Sequence, residues 1–232
     1  MDNTLLQNRN QASNLIKVLW VALAYAFFTT VINLVLLDGT NVTSMEEVSQ
    51  DDLLFGAVIG LGTSIISLVC IVFFLIWFYR LYKNLHRSGI HPNRAVGWSI
   101  GAFFIPFANW VIPYQIMKEI WYGTQEIGLT EEERMEDKHT FEDRTLLRPW
   151  WLTWVISNVV ANFYFRKSLN SDVFTLTNEG LTIDIVQNVF YMISAYFLIL
   201  IVRKLSEFEE KAIMVRQIKE IESFNNEEDP LY

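Results

Sequence analysis

Charge divides this chain more sharply than any motif does. Between Lys17 and Asp38 lie 20 residues with no charged side chain, and between Asp52 and Arg80 lie 27. Three more such windows follow: 23 residues between Arg94 and Lys118, 17 between Arg148 and Arg166, and 18 between Asp184 and Arg203. A helix rises about 1.5 Å per residue, so about 20 apolar residues cross a hydrocarbon core of about 30 Å. A soluble domain does not carry five windows of this kind. With 52% of residues hydrophobic, the pattern predicts an all-α, polytopic helical membrane protein. A transmembrane β-barrel needs short segments alternating apolar and polar. Here the runs are continuous, as in VALAYAFFTTVINLVLL and SLVCIVFFLIWFY. The segment Val18 to Leu37 is too long for a secretory h-region and lacks a basic n-region, so it reads as a retained first span.

Orientation follows from the basic residues, which collect in short cytoplasmic loops. The loop from Asp38 to Asp52 has five acids and no base, whereas the loop from Arg80 to Arg94 has four bases and no acid. The first is expected outside and the second inside, with the N-terminus inside. The third window, GAFFIPFANWVIPYQ at its centre, decides the rest. If it spans, 8 of the 18 bases lie inside; if it enters and returns, 16 do. Pro106 and Pro113 also break it into pieces too short to cross singly. Asn109, between them, has an amide able to satisfy backbone carbonyls that the prolines free.

The expected layout is therefore four full spans plus one Pro-broken re-entrant or interfacial segment; the alternative is five spans. Residues 1–17 form a cytoplasmic N-terminus. A membrane domain covers 18–202, with spans near 18–37, 55–79, 149–165 and 185–202, the broken segment at 97–117 and an acidic loop at 122–148. Residues 203–232 form a charged cytoplasmic helix and tail. Both termini are expected in the cytoplasm, and helical spans fit a bacterial inner membrane.

Several of these residues also carry a resemblance. They are Trp77, Arg80 and Asn84 in WFYRLYKN; Gly97 and Trp98; Pro106, Asn109, Pro113 and Tyr114 in IPFANWVIPYQ; Trp121; and the tryptophans of PWWLTW. Together they resemble the bacterial membrane family catalogued as domain of unknown function 4328, over roughly Leu53 to Phe165. The resemblance implies a bacterial membrane protein and supplies no activity.

The remaining constellations point to architecture. Gly56, Gly60 and Ser64 share one face of the second span, a spacing that lets helix backbones approach closely. Packing within the chain is the first expectation there, and a homo-oligomer or membrane-partner seam the second. Arg80, Lys83 and Arg87, interleaved with Trp77, Tyr79 and Tyr82, read as an interfacial anchor against membrane lipids. Asn158 and Asn162 share a helical face; with Asn33, Gln115, Gln187 and Asn188 they are expected to bond between helices or to line a polar cavity. Glu126 to Arg144 reads as a solvated acidic helix or loop, and Leu205, Phe208, Ala212, Val215 and Ile218 form an apolar stripe with Glu207 and Lys211 as a supporting pair.

Chemistry-bearing patterns are sparse. His86, His91 and His139 lack a zinc-hydrolase arrangement, Cys70 is the only cysteine, and neither a phosphate loop nor a nucleophile elbow is present. No enzyme activity, cofactor, metal or nucleic-acid partner is expected. Two functions of different class remain. One is a non-catalytic scaffold, sensor or assembly protein. The other is a small transporter or channel component with a polar site at the broken segment, where Asn109, Tyr114 and Gln115 lie.

Overall fold

The computed structural model describes residues 5–37, 49–135, 141–170 and 177–227. The Asn41–Thr43 sequon, most of the acidic loop after Asp38 and His139 lie outside them. Among the described residues all regular structure is helical. The order is α1 (Arg9–Leu37), α2 (Gln50–Arg87), α3 (Trp98–Gly101), α4 (Ile112–Ile127), α5 (Glu131–Met135), α6 (Leu147–Ser168) and α7 (Asn178–Glu227), with two 3-10 turns, Ala102–Phe104 and Ala108–Trp110, between α3 and α4.

Three helices, α1, α2 and α7, are long and apolar enough to cross a membrane, and a fourth crossing is added if the bent α3–α4 pair is counted as one span. In α2 only 6% of the most apolar window is buried. Leu53, Leu61, Ile65 and Leu68 stand exposed along it, an apolar surface too extensive for water and suited to lipid. These helices mark a membrane-embedded protein. The helix covering 149–165 is α6; its 22 residues suffice in length, but it is not among the three. Its three tryptophans and two asparagines make it less apolar than its neighbours.

Local chemistry explains the helix ends. At α2, Ser49 Oγ accepts from the Asp52 backbone N–H at 3.1 Å while Asp52 Oδ2 accepts from the Ser49 N–H at 3.3 Å, a reciprocal cap. Asp51 and Asp52 in its first turn and Arg87 in its last complement the helix dipole. Gly89, at φ 87°, ends the helix in the left-handed region. Thr177 Oγ1 caps α7 by accepting from the Gly180 N–H at 3.1 Å. Thr130 and Glu133 form a capping box on α5.

The third window does break. The segments Trp98–Phe104 and Ala108–Ile127 meet at 119°. Ile105, before Pro106, is extended, as a residue preceding proline prefers. Phe107 then adopts φ 63°, a region costly for a bulky side chain. Pro113 sits in the first turn of α4, where its missing N–H costs nothing.

The chain divides into two compact units. The first comprises Met1–Ser13, Leu75–Leu147 and Leu200–Tyr232. Its core is Trp77, Phe78, Leu81, Tyr82 and Leu85 from α2, Ile116, Met117, Ile120 and Trp121 from α4, and Ile201, Val202 and Leu205 from α7. The acidic stretch after α4 is docked here: Glu133 pairs with Lys211 at 3.0 Å, Glu131 pairs with Lys219, and Glu142 meets Lys204 at 2.8 Å. These partners hold the Glu131 and Glu133 carboxyls below the usual range, Glu131 through Lys219 and Glu133 first through the Thr130 backbone N–H. Glu207, expected to pair with Lys211, instead meets Lys204 at 3.1 Å, because Lys211 is drawn to the α5 carboxylate. Of the apolar stripe, Leu205, Ala212 and Val215 are buried and Ile218 is exposed.

The second unit comprises Asn14–Phe74 and Arg148–Ile199. Leu15, Leu19, Ala22 and Ala26 of α1, Trp150 of α6, and Leu181, Ala195 and Ile199 of α7 are buried in it. The expected internal packing at Gly56 and Gly60 is absent: a Cβ at either would meet nothing within 4 Å. The close approach is made at Gly62, where an added Cβ collides with the Tyr25 hydroxyl. That hydroxyl donates to the Ile59 carbonyl at 2.7 Å. Gly62→Ala is therefore expected to expel Tyr25 from this position and lower stability by about 1–2 kcal/mol. In a thermal-unfolding cycle, Tyr25→Phe should cost much less in the Gly62→Ala background than alone; additive losses would contradict the contact.

Candidate functional site

Nine of the eleven residues singled out from sequence, Trp77, Arg80, Asn84, Trp98, Pro106, Asn109, Pro113, Tyr114 and Gln115, belong to the first unit. Three of them, Trp77, Arg80 and Asn84, recur at three and four along α2, so they share one helical face. That face receives the extended segment before α1. Asn84 holds it with both ends of its amide: Oδ1 accepts from the Leu6 N–H at 2.8 Å and Nδ2 donates to the Leu6 carbonyl at 3.0 Å. Arg80 Nη2 donates to the Gln7 carbonyl at 2.8 Å, and Asn8 Nδ2 donates to the Trp77 carbonyl at 3.3 Å. Trp77 is fully buried beneath.

The fourth member comes from α7. Asn84 Nδ2 also donates to Glu209 Oε1 at 3.2 Å. Glu209 is 8% exposed, rare for a carboxyl. Its burial outweighs Asn84, the Arg80 charge and Asn8, and pushes its pKa up to about 7. Asn8 Oδ1 is buried and accepts no hydrogen bond among the described residues. The raised Glu209 carboxyl shares the Asn84 amide with the segment before α1.

The first unit also holds a groove of about 570 Å³ lined by Asn93, Arg94, Gln115, Lys118, Glu119, Tyr122 and Arg144. Gln115 Oε1 accepts from Arg94 Nη2 at 2.6 Å. Glu119 is held by Asn93 at 2.8 Å, Tyr82 at 2.8 Å and Arg94 at 3.8 Å. Burial first, and then this carboxylate, push the Tyr82 phenol up. Three bases against one acid leave the groove positive, which favours an anionic group such as a phosphate.

The other residues are placed more plainly. Trp98 opens α3 and is 39% exposed. Pro106 lies in the bend and Pro113 is buried in α4. Lys118 Nζ lies 5.4 Å from the Tyr114 ring centroid. Asn109 Oδ1 is buried in its 3-10 turn and accepts no hydrogen bond among the described residues. Asn158 and Asn162 donate to the Trp154 and Asn158 carbonyls, at 2.8 and 2.9 Å, one turn back in α6. They bond within their own helix, not between helices as expected.

Glu209, Asn8 and Glu119 were not singled out from sequence. A signal for Glu209 exists: it falls four residues after Leu205 and three before Ala212, on the stripe those residues bury. Asn8 and Glu119 carry no comparable signal.

No curated protein and no solved structure matches the chain. A family model does: the Domain of unknown function (DUF4328) matches residues 39–207, a span that holds those eleven residues and stops two short of Glu209. That match covers 169 of the 232 residues, and the chain belongs to this family.

Proposed function

We propose that the protein is a non-catalytic, multi-pass protein of the bacterial inner membrane that senses conditions on the cytoplasmic side, with Glu209 as its titrating group. The observation that carries this reading is the buried Glu209 carboxyl. It is bonded to the same Asn84 amide that holds Leu6, and its burial pushes it up to about 7. When Glu209 is protonated no carboxylate charge is enclosed against Asn84 and the segment closes. When it ionises, a charge is buried at a cost, and the segment opens more readily.

The charge bias supports the topology this requires. Four full spans, with α6 as one, and a re-entrant α3–α4 segment put 16 of 18 bases and both termini in the cytoplasm. The 119° bend fits a segment that enters and returns. Lipid is the proposed partner, its anionic headgroups at the Arg94–Lys118–Arg144 groove; nucleic acid is not. The open Gly56–Gly60–Ser64 face is the proposed seam for a second copy. A second reading, a small transporter or channel component with its polar site at the broken segment, is favoured by the unpartnered Asn109 oxygen; flux assays on Asn109→Leu separate the two.

Thiol labelling tests the sensor. With Cys70→Ala as background, Leu6→Cys is expected to label only after cells are permeabilised. In permeabilised cells its rate, corrected for thiolate fraction, should rise several-fold from pH 6 to pH 8. Adding Glu209→Gln should hold the rate at its pH 6 value. Labelling in intact cells would overturn the topology, and a pH-independent rate would overturn the sensor.

A further inference from the structure

From sequence, Asp184 reads as the boundary of the last apolar window. The structure places it six residues into α7, in the wall of a cavity of about 110 Å³ within the second unit. Tyr25, Asn33, Thr63, Ser67 and Asn188 stand with it in the lining. Asn33 is four residues before the end of α1. At about 1.5 Å per residue the pair lies roughly 6–9 Å inside the helix ends.

The carboxylate is approached by donors alone. Asn33 Nδ2 donates to Asp184 Oδ2 at 2.6 Å, and Asn188 Nδ2 donates to the same oxygen at 3.3 Å and to Thr29 Oγ1 at 3.4 Å. An ionised carboxylate only accepts, so two N–H donors on one oxygen suit it. Both amides meet the same oxygen, Asp184 Oδ2. None of the lining residues is Lys, Arg or His, so the cavity supplies no counter-charge of its own.

From this we propose that the cavity binds one monovalent alkali cation, with Asp184 as its charged ligand and neutral amide and hydroxyl oxygens completing the shell. Hard cations take oxygen ligands. A single carboxylate among neutral oxygens balances one positive charge, and no cluster of three His, Cys, Asp or Glu side chains exists among the described residues to hold a divalent ion. The volume admits an ion with a few waters and is well below the 300–1,000 Å³ or so of a drug-sized ligand site. This site is independent of Glu209 and of the sensor reading.

The test uses the full chain in lipid nanodiscs, melted in choline chloride replaced stepwise by NaCl or KCl at constant ionic strength and pH, with 22Na+ binding measured in parallel. The expected result is a saturable rise in melting temperature of several degrees with one or both ions, one ion bound per chain, and no response in Asp184→Asn. Ser67→Ala leaves the Asp184 hydrogen bonds intact and should raise the half-saturating concentration about five-fold or more. The Na+ and K+ arms identify the ion. No response to either salt would overturn the proposal, as would a response retained in Asp184→Asn. A shift with pH alone, showing a proton in the cation's place, would overturn it too. If Asp184→Asn does not fold, an unchanged half-saturation in Ser67→Ala overturns it instead.

Discussion

Trp121→Ala is expected to remove about 3–5 kcal/mol of stability, the range for deleting a large buried aromatic. Trp121 is 1% exposed. Its ring packs edge-on against Phe208 with centroids 5.2 Å apart, and its indole N–H donates to the Glu142 carbonyl at 2.9 Å. The substitution thus opens a cavity in the first unit and frees a carbonyl of the acidic stretch at once. Two readouts separate these effects. Trp121→Phe keeps most of the volume and loses the hydrogen bond, so it should cost about 1 kcal/mol plus the packing difference. Proteolysis between α5 and α6 should accelerate in both variants if the indole holds that stretch. Equal loss of stability in the two would assign the effect to the hydrogen bond, and a loss below about 1 kcal/mol in Trp121→Ala would contradict the burial.

Glu209→Gln is expected to stabilise the protein at pH 8 by about 3 kcal/mol at most and to do nothing at pH 4. Burial pushes the folded carboxyl up to about 7 from an ordinary 4.5. A tenfold change in acidity corresponds to about 1.4 kcal/mol. The sign follows from proton counting. Between pH 4.5 and 7 the unfolded chain has already lost the proton that the folded chain keeps, so stability falls as pH rises through this window and levels off above it. Glutamine has no proton to lose, so the Glu209 share of the slope should vanish. Glu131 and Glu133 work in the opposite direction, since their carboxyls are held low and their contributions are lost as pH falls. The measurement is therefore the difference between variant and parent from pH 5 to 8. A flat difference would mean the carboxyl is ionised throughout and the sensor has no titrating element.

The sequence-based expectations fared differently for reasons specific to each. Helix positions were legible because a charge-free window is a local property of the sequence. The bend at Pro106 was legible for the same reason, since proline cannot extend the helix it interrupts. Span number was less so. The helix at Leu147–Ser168 carries Asn158 and Asn162, whose amides the structure turns back onto their own helix. Arg80 and Asn84 stood out as parts of a family pattern. Their task did not, because Leu6, Gln7 and Glu209 reach them across 73 to 125 residues of chain.

By itself the amino-acid order determined an all-helical chain with helices long and apolar enough to cross a membrane, and a break between Trp98 and Ile112. Each depends on near neighbours, through hydropathy, backbone sterics or charge. Only the tertiary structure decided which acids are solvated and which are enclosed. Glu207 and Glu209 look alike in RKLSEFEEKA, yet one meets water and Lys204 while the other is buried against Asn84. Asp184 likewise passed for the edge of a span until α1 and α7 brought Asn33 and Asn188 to its carboxylate. The protonation and ligation of a carboxyl depend on the partners and solvent within a few ångströms, and here residues distant in the chain supply them.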